Sequence, residues 1–282
     1  MNGIIVLDKP KGKSSNQVVG MVKRFFNQKK VGHLGTLDPM ATGVLPVCIG
    51  KATKLFDMFL SKTKTYIAQF TFGKTTDTLD AEGVVTDECN YVPTEKEIEK
   101  VLKSFVGKLE QMPPKYSAKS VNGVRAYDLS RKGIEFELKP KQIEIFRFEL
   151  TKAISSNVFE FLIVCSSGTY IRALARDLGL KCDSLAYMSE LRRIRAGQFD
   201  IEMSVRPENM STSNVIGLEQ VLSDFEKISV DDKFYDKLKN GNSINVSIGN
   251  KTNLLVYCKS KLFGIGQCCD NVLKVTTNLF ED

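Results

Sequence analysis

The 282-residue chain has one histidine, His33, and no tryptophan. A single histidine cannot supply the multi-histidine ligand sets of common zinc sites. The seven cysteines, at 48, 89, 165, 182, 258, 268 and 269, include no C-x-x-C pair to replace them. An odd set without regular spacing also argues against a disulfide framework, so reduced thiols are expected. No G-x-G-x-x-G segment follows a strand-like run, which removes the usual signature of a dinucleotide cofactor. Gly50-Lys51-Ala52 looks like the end of a phosphate-binding loop. Leu45, however, stands where its leading glycine belongs, and Ala52 replaces the hydroxyl residue that would hold magnesium. Asp8 cuts short the apolar N-terminal run and no later run approaches membrane-spanning length, so we expect no secretory leader, no membrane partner and a cytoplasmic protein. These absences leave chemistry carried by side chains alone, with no metal and no cofactor.

Acidic residues are scarce in one region. From Lys9 to Leu55 there is a single carboxylate, Asp38, among nine lysines and arginines and His33. Gly32, Gly35 and Gly43 punctuate this stretch, and Pro39 pushes Asp38 toward an extended or turn conformation. Alone, an Asp-Pro pair is an ordinary turn whose carboxylate bonds nearby amides. In a basic segment it also reads as a reactive group awaiting a polyanion. The net charge of +7 sharpens that reading, because residues 226–282 contribute only +1 and the remaining +6 lies in residues 1–225. Such a field suits RNA, DNA or an anionic membrane surface.

The chain exceeds usual single-domain size, so one large unit (1–225) and one small unit (226–282) are expected. Gly3 to Leu7 reads as a buried strand. Ser14 or Ser15 can cap a helix with Val18, Val19, Val22, Phe25 and Phe26 on one face. Tyr66 to Phe72 alternates as a half-buried strand, with Asp77 to Gly83 as a polar loop after it. Thr94 to Glu97 is a capping box. Val158 to Cys165 is a strand that turns through Gly168 into a helix burying Ile171, Leu174, Ala175 and Leu178, with Tyr170 and Arg172 at the corner. Leu218 to Phe225 reads as an amphipathic helix, followed by short strands near 244–248, 254–259, 262–268 and 272–277. Helices and strands without regular βαβ alternation favour an α+β fold around a mixed, largely antiparallel sheet, with a small C-terminal β-barrel. Residues 111–133 lack long apolar periodicity and set Tyr116 and Tyr127 among basic side chains, as an RNA-contacting insertion of about residues 111–140 would.

The ordered segments Leu7-Asp8-Lys9-Pro10, Ser14-Ser15-Asn16, His33 to Gly43, Lys64-Thr65-Tyr66, Pro113-Pro114 with Tyr116-Ser117-Ala118, Gly168 to Arg172 and Leu191-Arg192-Arg193 resemble the bacterial tRNA pseudouridine synthase B family, TruB. The resemblance covers residues 3–200 and extends more loosely into a PUA-like C-terminal unit. It implies cofactor-free isomerisation of uridine 55 in the TΨC loop of tRNA, with the base flipped out. Asp38 would be the catalytic carboxylate and Arg172 its ion-pair partner. Tyr66 and Tyr170 would pack on the extruded uracil, Leu191 would line its pocket and His33 would enter the RNA loop. Lys9 and Lys54 would serve as phosphate or scaffold contacts. The tRNA TΨC stem-loop is the expected partner of a monomeric protein needing no guide RNA. A guide-dependent synthase of the dyskerin type shares the aspartate motif but lacks the 111–140 insertion and carries extra N-terminal sequence. A non-catalytic RNA chaperone would have no need of Asp38.

Overall fold

The structure is a computed structural model that describes residues 1–60, 62–116, 120–121, 124–125, 129, 133–134 and 136–281. Alternating side chains build its centre. Lys64–Phe72 buries Tyr66, Ala68, Phe70 and Phe72, and Val158–Cys165 buries Phe159, Phe161, Ile163 and Cys165. The two strands pair antiparallel from Val158 against Thr71 to Cys165 against Lys64. Phe70, Phe148 and Phe161 pack with ring centroids 4.8 to 6.2 Å apart, tilted or edge-on as aromatic quadrupoles favour.

These strands belong to a ten-stranded sheet. Its order is Val215–Gly217, Gly3–Lys9, Thr42–Ile49, Ala186–Ala196, Lys64–Phe72, Val158–Cys165, Lys141–Ala153 and Gly107–Gln111, with Val31–His33 and Phe199–Asp200 paired at its side. All its strand pairings are antiparallel except one. Thr42 and Gly43 run parallel to Arg192 and Arg193, and this two-residue seam joins the sheet's two antiparallel halves. The mixed, largely antiparallel α+β architecture expected from the sequence is the one observed.

Helices cover the sheet where the sequence encodes their ends. Ser14, not Ser15, caps the Ser15–Phe25 helix in a capping box with Gln17. Val18, Val19 and Val22 then pack on Ile5, Leu7, Leu45 and Val47. Phe25, expected on that face, lies at the helix end and is 51% exposed. Thr94 and Glu97 form the second capping box. The Ile171–Lys181 helix buries Ile171, Leu174, Ala175 and Leu178 as its period requires. The expected Leu218–Phe225 helix is a single turn, Leu218–Val221. Turn hydrogen bonds at Ser223 and Phe225 carry the chain on to the next strand instead.

A separate five-stranded sheet follows, ordered Lys227–Ser229, Lys251–Cys258, Lys261–Cys269, Val272–Asn278 and Ile244–Asn245. Leu254, Val256, Phe263 and Leu273 fill its own core, whereas Leu255, Ile265 and Leu279 pack with Ile4, Val6 and Val44 of the large sheet. Successive residues of one strand therefore serve two cores, as strand alternation allows. Tyr127 and residues 117–119 of the expected RNA-contacting insertion lie outside the described residues. No described helix is long and apolar enough to cross a membrane.

All seven cysteines are free, as expected for reduced thiols. Burial pushes the thiol of Cys48 up to about 12 and those of Cys165 and Cys182 up to about 11, whereas Cys269 is exposed. The thiolate is the reacting form, so at pH 8 a thiol titrating near 12 presents about a thousandfold less of it than an ordinary cysteine. We predict that an aromatic disulfide reagent at pH 8 labels Cys269 first and half-buried Cys89 more slowly, reaching the other five only after denaturation. Rapid labelling of all seven in the native protein would contradict this packing.

Candidate active site

The segment from Leu34 to Ala41 has no regular structure, so side chains from elsewhere must fix it. Leu34, Leu37, Met40 and Ala41 are buried in the flanking cores. Because Ser14 takes the capping role, the Ser15 hydroxyl is free to hold the peptide of Leu37. It donates to the Leu37 carbonyl and accepts from the Leu37 amide, both at 2.9 Å. Lys9 is fully buried, and its ammonium donates to the carbonyls of Pro10 (3.0 Å), Lys13 (2.5 Å) and Pro39 (3.1 Å). Arg193, 1% exposed, donates to the carbonyls of Gly35 (3.0 Å) and Val44 (2.7 Å). The carbonyls at 35, 37 and 39 are thus each fastened by a different side chain, with Asp38 between the last two.

Asp38 keeps 36% of its side chain exposed. Its Oδ2 forms an ion pair with Nε of Arg172 at 3.0 Å. Arg172 stands in the first turn of the Ile171–Lys181 helix with only 8% of its side chain exposed. A buried guanidinium needs compensation on every edge. Nη1 meets Asp80 Oδ2 at 3.3 Å and donates to the Thr78 carbonyl at 3.0 Å, and Nη2 donates to the Tyr116 carbonyl at 3.0 Å. Asp80 is itself buried, and its other oxygen accepts from the Thr78 hydroxyl (2.6 Å) and the Glu82 amide (3.1 Å). One buried cation therefore joins two carboxylates, one sealed inside and one open to solvent.

Apolar and aromatic groups stand beside this pair. Tyr66 and Leu191, each 8% exposed, share a core cluster with Leu37, Met40 and Ala41. Burial pushes the Tyr66 phenol up to about 12, keeping it neutral. Tyr170 is half-buried at the N-cap of the Arg172 helix, and its peptide is held at both ends by Gln111: the Tyr170 amide donates to Oε1 at 2.8 Å, and Nε2 donates to the Tyr170 carbonyl at 3.0 Å. His33 ends a short strand opposite Val47, and burial, followed by the charge of Arg193, lowers its pKa.

The structure brings Asp38, Arg172, Tyr66 and Leu191 together around the loop, and Tyr170 precedes Arg172 by two residues at the N-cap of its helix. Of the two lysines considered as phosphate or scaffold contacts, Lys9 is buried and Lys54 is exposed. Lys9 lies beneath the loop as a scaffold, inaccessible to any phosphate, and burial lowers its pKa to about 8 against the opposing pull of Asp38. The Lys54 ammonium donates to the Asn278 carbonyl at 2.8 Å and so ties the large sheet to the last strand of the small one. The sequence marks neither Asp80 nor Gln111 as a site residue, and it marks Ser15 only as a candidate helix cap and motif member. Asp80 sits in the polar loop 77–83, and only its remote partner distinguishes it from Asp77. Among the described residues, no three or more histidine, cysteine, aspartate or glutamate side chains gather as a metal site would require.

Comparison with known proteins fits this geometry. The profile of the TruB family pseudouridylate synthase N-terminal domain matches residues 23–171, and that of the tRNA pseudouridylate synthase B C-terminal domain matches residues 172–227. A tRNA pseudouridine synthase B of Clostridium tetani is 41% identical over 277 residues, spanning 95% of this chain and 96% of its own. The namesake from Borreliella burgdorferi strain ZS7 is 38% identical over 268 residues, spanning 94% and 95%. Among solved structures, a chain of a Cbf5-Nop10-Gar1 complex superposes with a TM-score of 0.68 at 25% identity, covering 98% of this chain and 79% of that one. Matches of this extent define the class, an RNA-modifying enzyme that makes pseudouridine. The chain belongs to the TruB family of pseudouridylate synthases.

The loop enters the parallel seam at Gly43, whose φ is +99°. A β-carbon there would lie 2.1 Å from the Arg193 carbonyl oxygen, a backbone atom that cannot step aside. We predict that Gly43→Ala lowers stability by about 2–4 kcal/mol, from strain plus steric overlap, read as a lower urea midpoint. An unchanged midpoint would show that the seam can relax.

Proposed function

We propose that this enzyme converts uridine 55 in the TΨC loop of tRNA to pseudouridine, with Asp38 as the reacting carboxylate and no cofactor. The observation that carries this reading is the Asp38–Arg172 pair: a solvent-accessible carboxylate held at 3.0 Å by a guanidinium that is itself buried. Family membership supplies the reaction class. The names of the curated relatives support tRNA as substrate.

The reaction breaks the C1′–N1 bond, turns the detached uracil and forms a C1′–C5 bond, after which the C5 proton must leave and N1 gains one. The target nucleotide first leaves its stack, which costs on the order of a few kcal/mol. Asp38 either attacks as a nucleophile or removes a ribose proton in a glycal route, and it is the base available for C5. Arg172 aims the carboxylate through a close ion pair. Tyr66 stacks on the flipped uracil, neutral because it is buried. Tyr170 and Leu191 close the same pocket, and His33 enters the RNA loop. Residues 1–225 form the catalytic unit, with 111–140 contacting RNA. Residues 226–282 form the PUA-like unit. The enzyme works as a cytoplasmic monomer without a guide RNA.

We predict that purified protein alone, incubated with an unmodified tRNA transcript, yields pseudouridine at one position of the TΨC loop. Asp38→Asn abolishes product while keeping tRNA affinity within a few-fold. Product appearing only on addition of a guide RNA would sink the stand-alone reading, and an active Asp38→Asn would sink the assignment of the carboxylate.

A further inference from the structure

Four side-chain-to-backbone bonds, made by three side chains, fasten residues 111–116 to the first two turns of the helix that carries Arg172. Gln111 takes both polar groups of the Tyr170 peptide. Arg176 Nη2 donates to the Met112 carbonyl at 3.0 Å, and Arg172 Nη2 donates to the Tyr116 carbonyl at 3.0 Å. Between these points Pro113 and Pro114 are both buried. Two adjacent prolines fix two φ angles, so the segment is a stiff strap. Of the three attachments, Gln111 alone spends its whole side-chain amide on the backbone of one residue: it is 1% exposed, and both of its polar atoms meet Tyr170.

The peptide it holds has special standing. Tyr170 is the N-cap of the Ile171–Lys181 helix, and its side chain makes no capping bond. The entry angle of the helix, and with it the position of Arg172 two residues later, is therefore held from outside by Gln111. The chain reaches this corner through Gly168, in a left-handed conformation (φ +75°), which by itself restricts the approach little.

We propose that Gln111 is a positioning residue for the isomerisation: by clamping the Tyr170 peptide it sets Tyr170 against the base and Arg172 against Asp38. The inference rests on the function proposed above. It touches neither substrate nor the reacting carboxylate, so its effect falls on the rate of the chemical step and not on tRNA affinity. A displacement of about 1 Å in a catalytic group costs roughly a hundredfold in rate.

The test uses the full-length enzyme under single-turnover conditions. Gln111→Met keeps the volume and removes both hydrogen bonds. It is expected to slow pseudouridine formation at least tenfold, with tRNA affinity unchanged within about twofold and a cooperative unfolding transition retained. Gln111→Glu gives a signature that packing alone would not. A protonated carboxyl can accept from the Tyr170 amide and donate to its carbonyl as the amide does, whereas the carboxylate cannot donate. The rate of Gln111→Glu relative to wild type at the same pH is expected to rise as pH falls, while its relative tRNA affinity stays flat. A wild-type rate in folded Gln111→Met, or loss appearing wholly in affinity, would overturn the proposal. Should the methionine variant not fold, a pH-independent relative rate in Gln111→Glu would overturn it equally. A wild-type enzyme that makes no pseudouridine would instead overturn the function itself.

Discussion

The site depends on a buried cation that cannot be left unpaired. Arg172 has lost nearly all contact with water, and a guanidinium in that state must find a partner for each of its edges or cost several kcal/mol. Two carboxylates and two carbonyls, drawn from three separated stretches of chain, provide them. Each of those stretches is thereby fixed to the others. Asp80 is sealed in and serves as a permanent counter-ion. Asp38 remains at the surface, so the same cation can orient it without withdrawing it from a substrate.

An irregular loop is an unusual platform for the carboxylate proposed to react, and its rigidity has to be supplied from outside. Here it comes from groups that bind carbonyls. Lys9, Ser15 and Arg193 each hold a carbonyl of the Asp38 loop, and Lys64, similarly buried, donates to the carbonyls of Leu60 and Lys62. Backbone acceptors have no charge with which to neutralise these cations. Burial accordingly lowers the pKa of both Lys9 and Lys64 to about 8. The concentration of cations around one exposed carboxylate also suits a ligand that is a polyanion. The seam between the two halves of the sheet lies in the same place, and Gly43 lets the two strands approach where a side chain would hold them apart.

Much of this was legible in the sequence because its causes are local. The strand Lys64–Phe72 and the helix Ile171–Lys181 announce themselves by period. The capping box at Thr94–Glu97 fixes a helix start within four residues, whereas the sequence leaves Ser14 and Ser15 as alternative caps of the first helix and the structure selects Ser14. Asp38 stood out by the absence of other acids around it, and the motif resemblance drew Arg172, Tyr66, Tyr170 and Leu191 to it. Long-range facts were not legible. Arg172 bonds the carbonyl of Thr78 across a separation of 94 residues, and nothing near Asp80 marks it as the buried member of the pair. Lysines read as surface charges, yet Lys9 is fully buried because Pro39, 30 residues on, offers it a carbonyl inside the fold. The helix expected over Leu218–Phe225 is a single turn, and Val221 and Leu222 are buried among residues of both sheets.

The central claim is that Arg172 makes Asp38 competent by geometry as well as by charge. Arg172→Lys separates the two, since a lysine keeps the positive charge beside Asp80 but cannot reach both carboxylates and both carbonyls from one nitrogen. The direct measurement is single-turnover release of tritium from a tRNA transcript labelled at C5 of its uridines, alongside tRNA affinity. The account predicts that wild type releases the label from one site and that Arg172→Lys slows release by roughly a hundredfold while binding tRNA normally. Release at the wild-type rate in Arg172→Lys would contradict it.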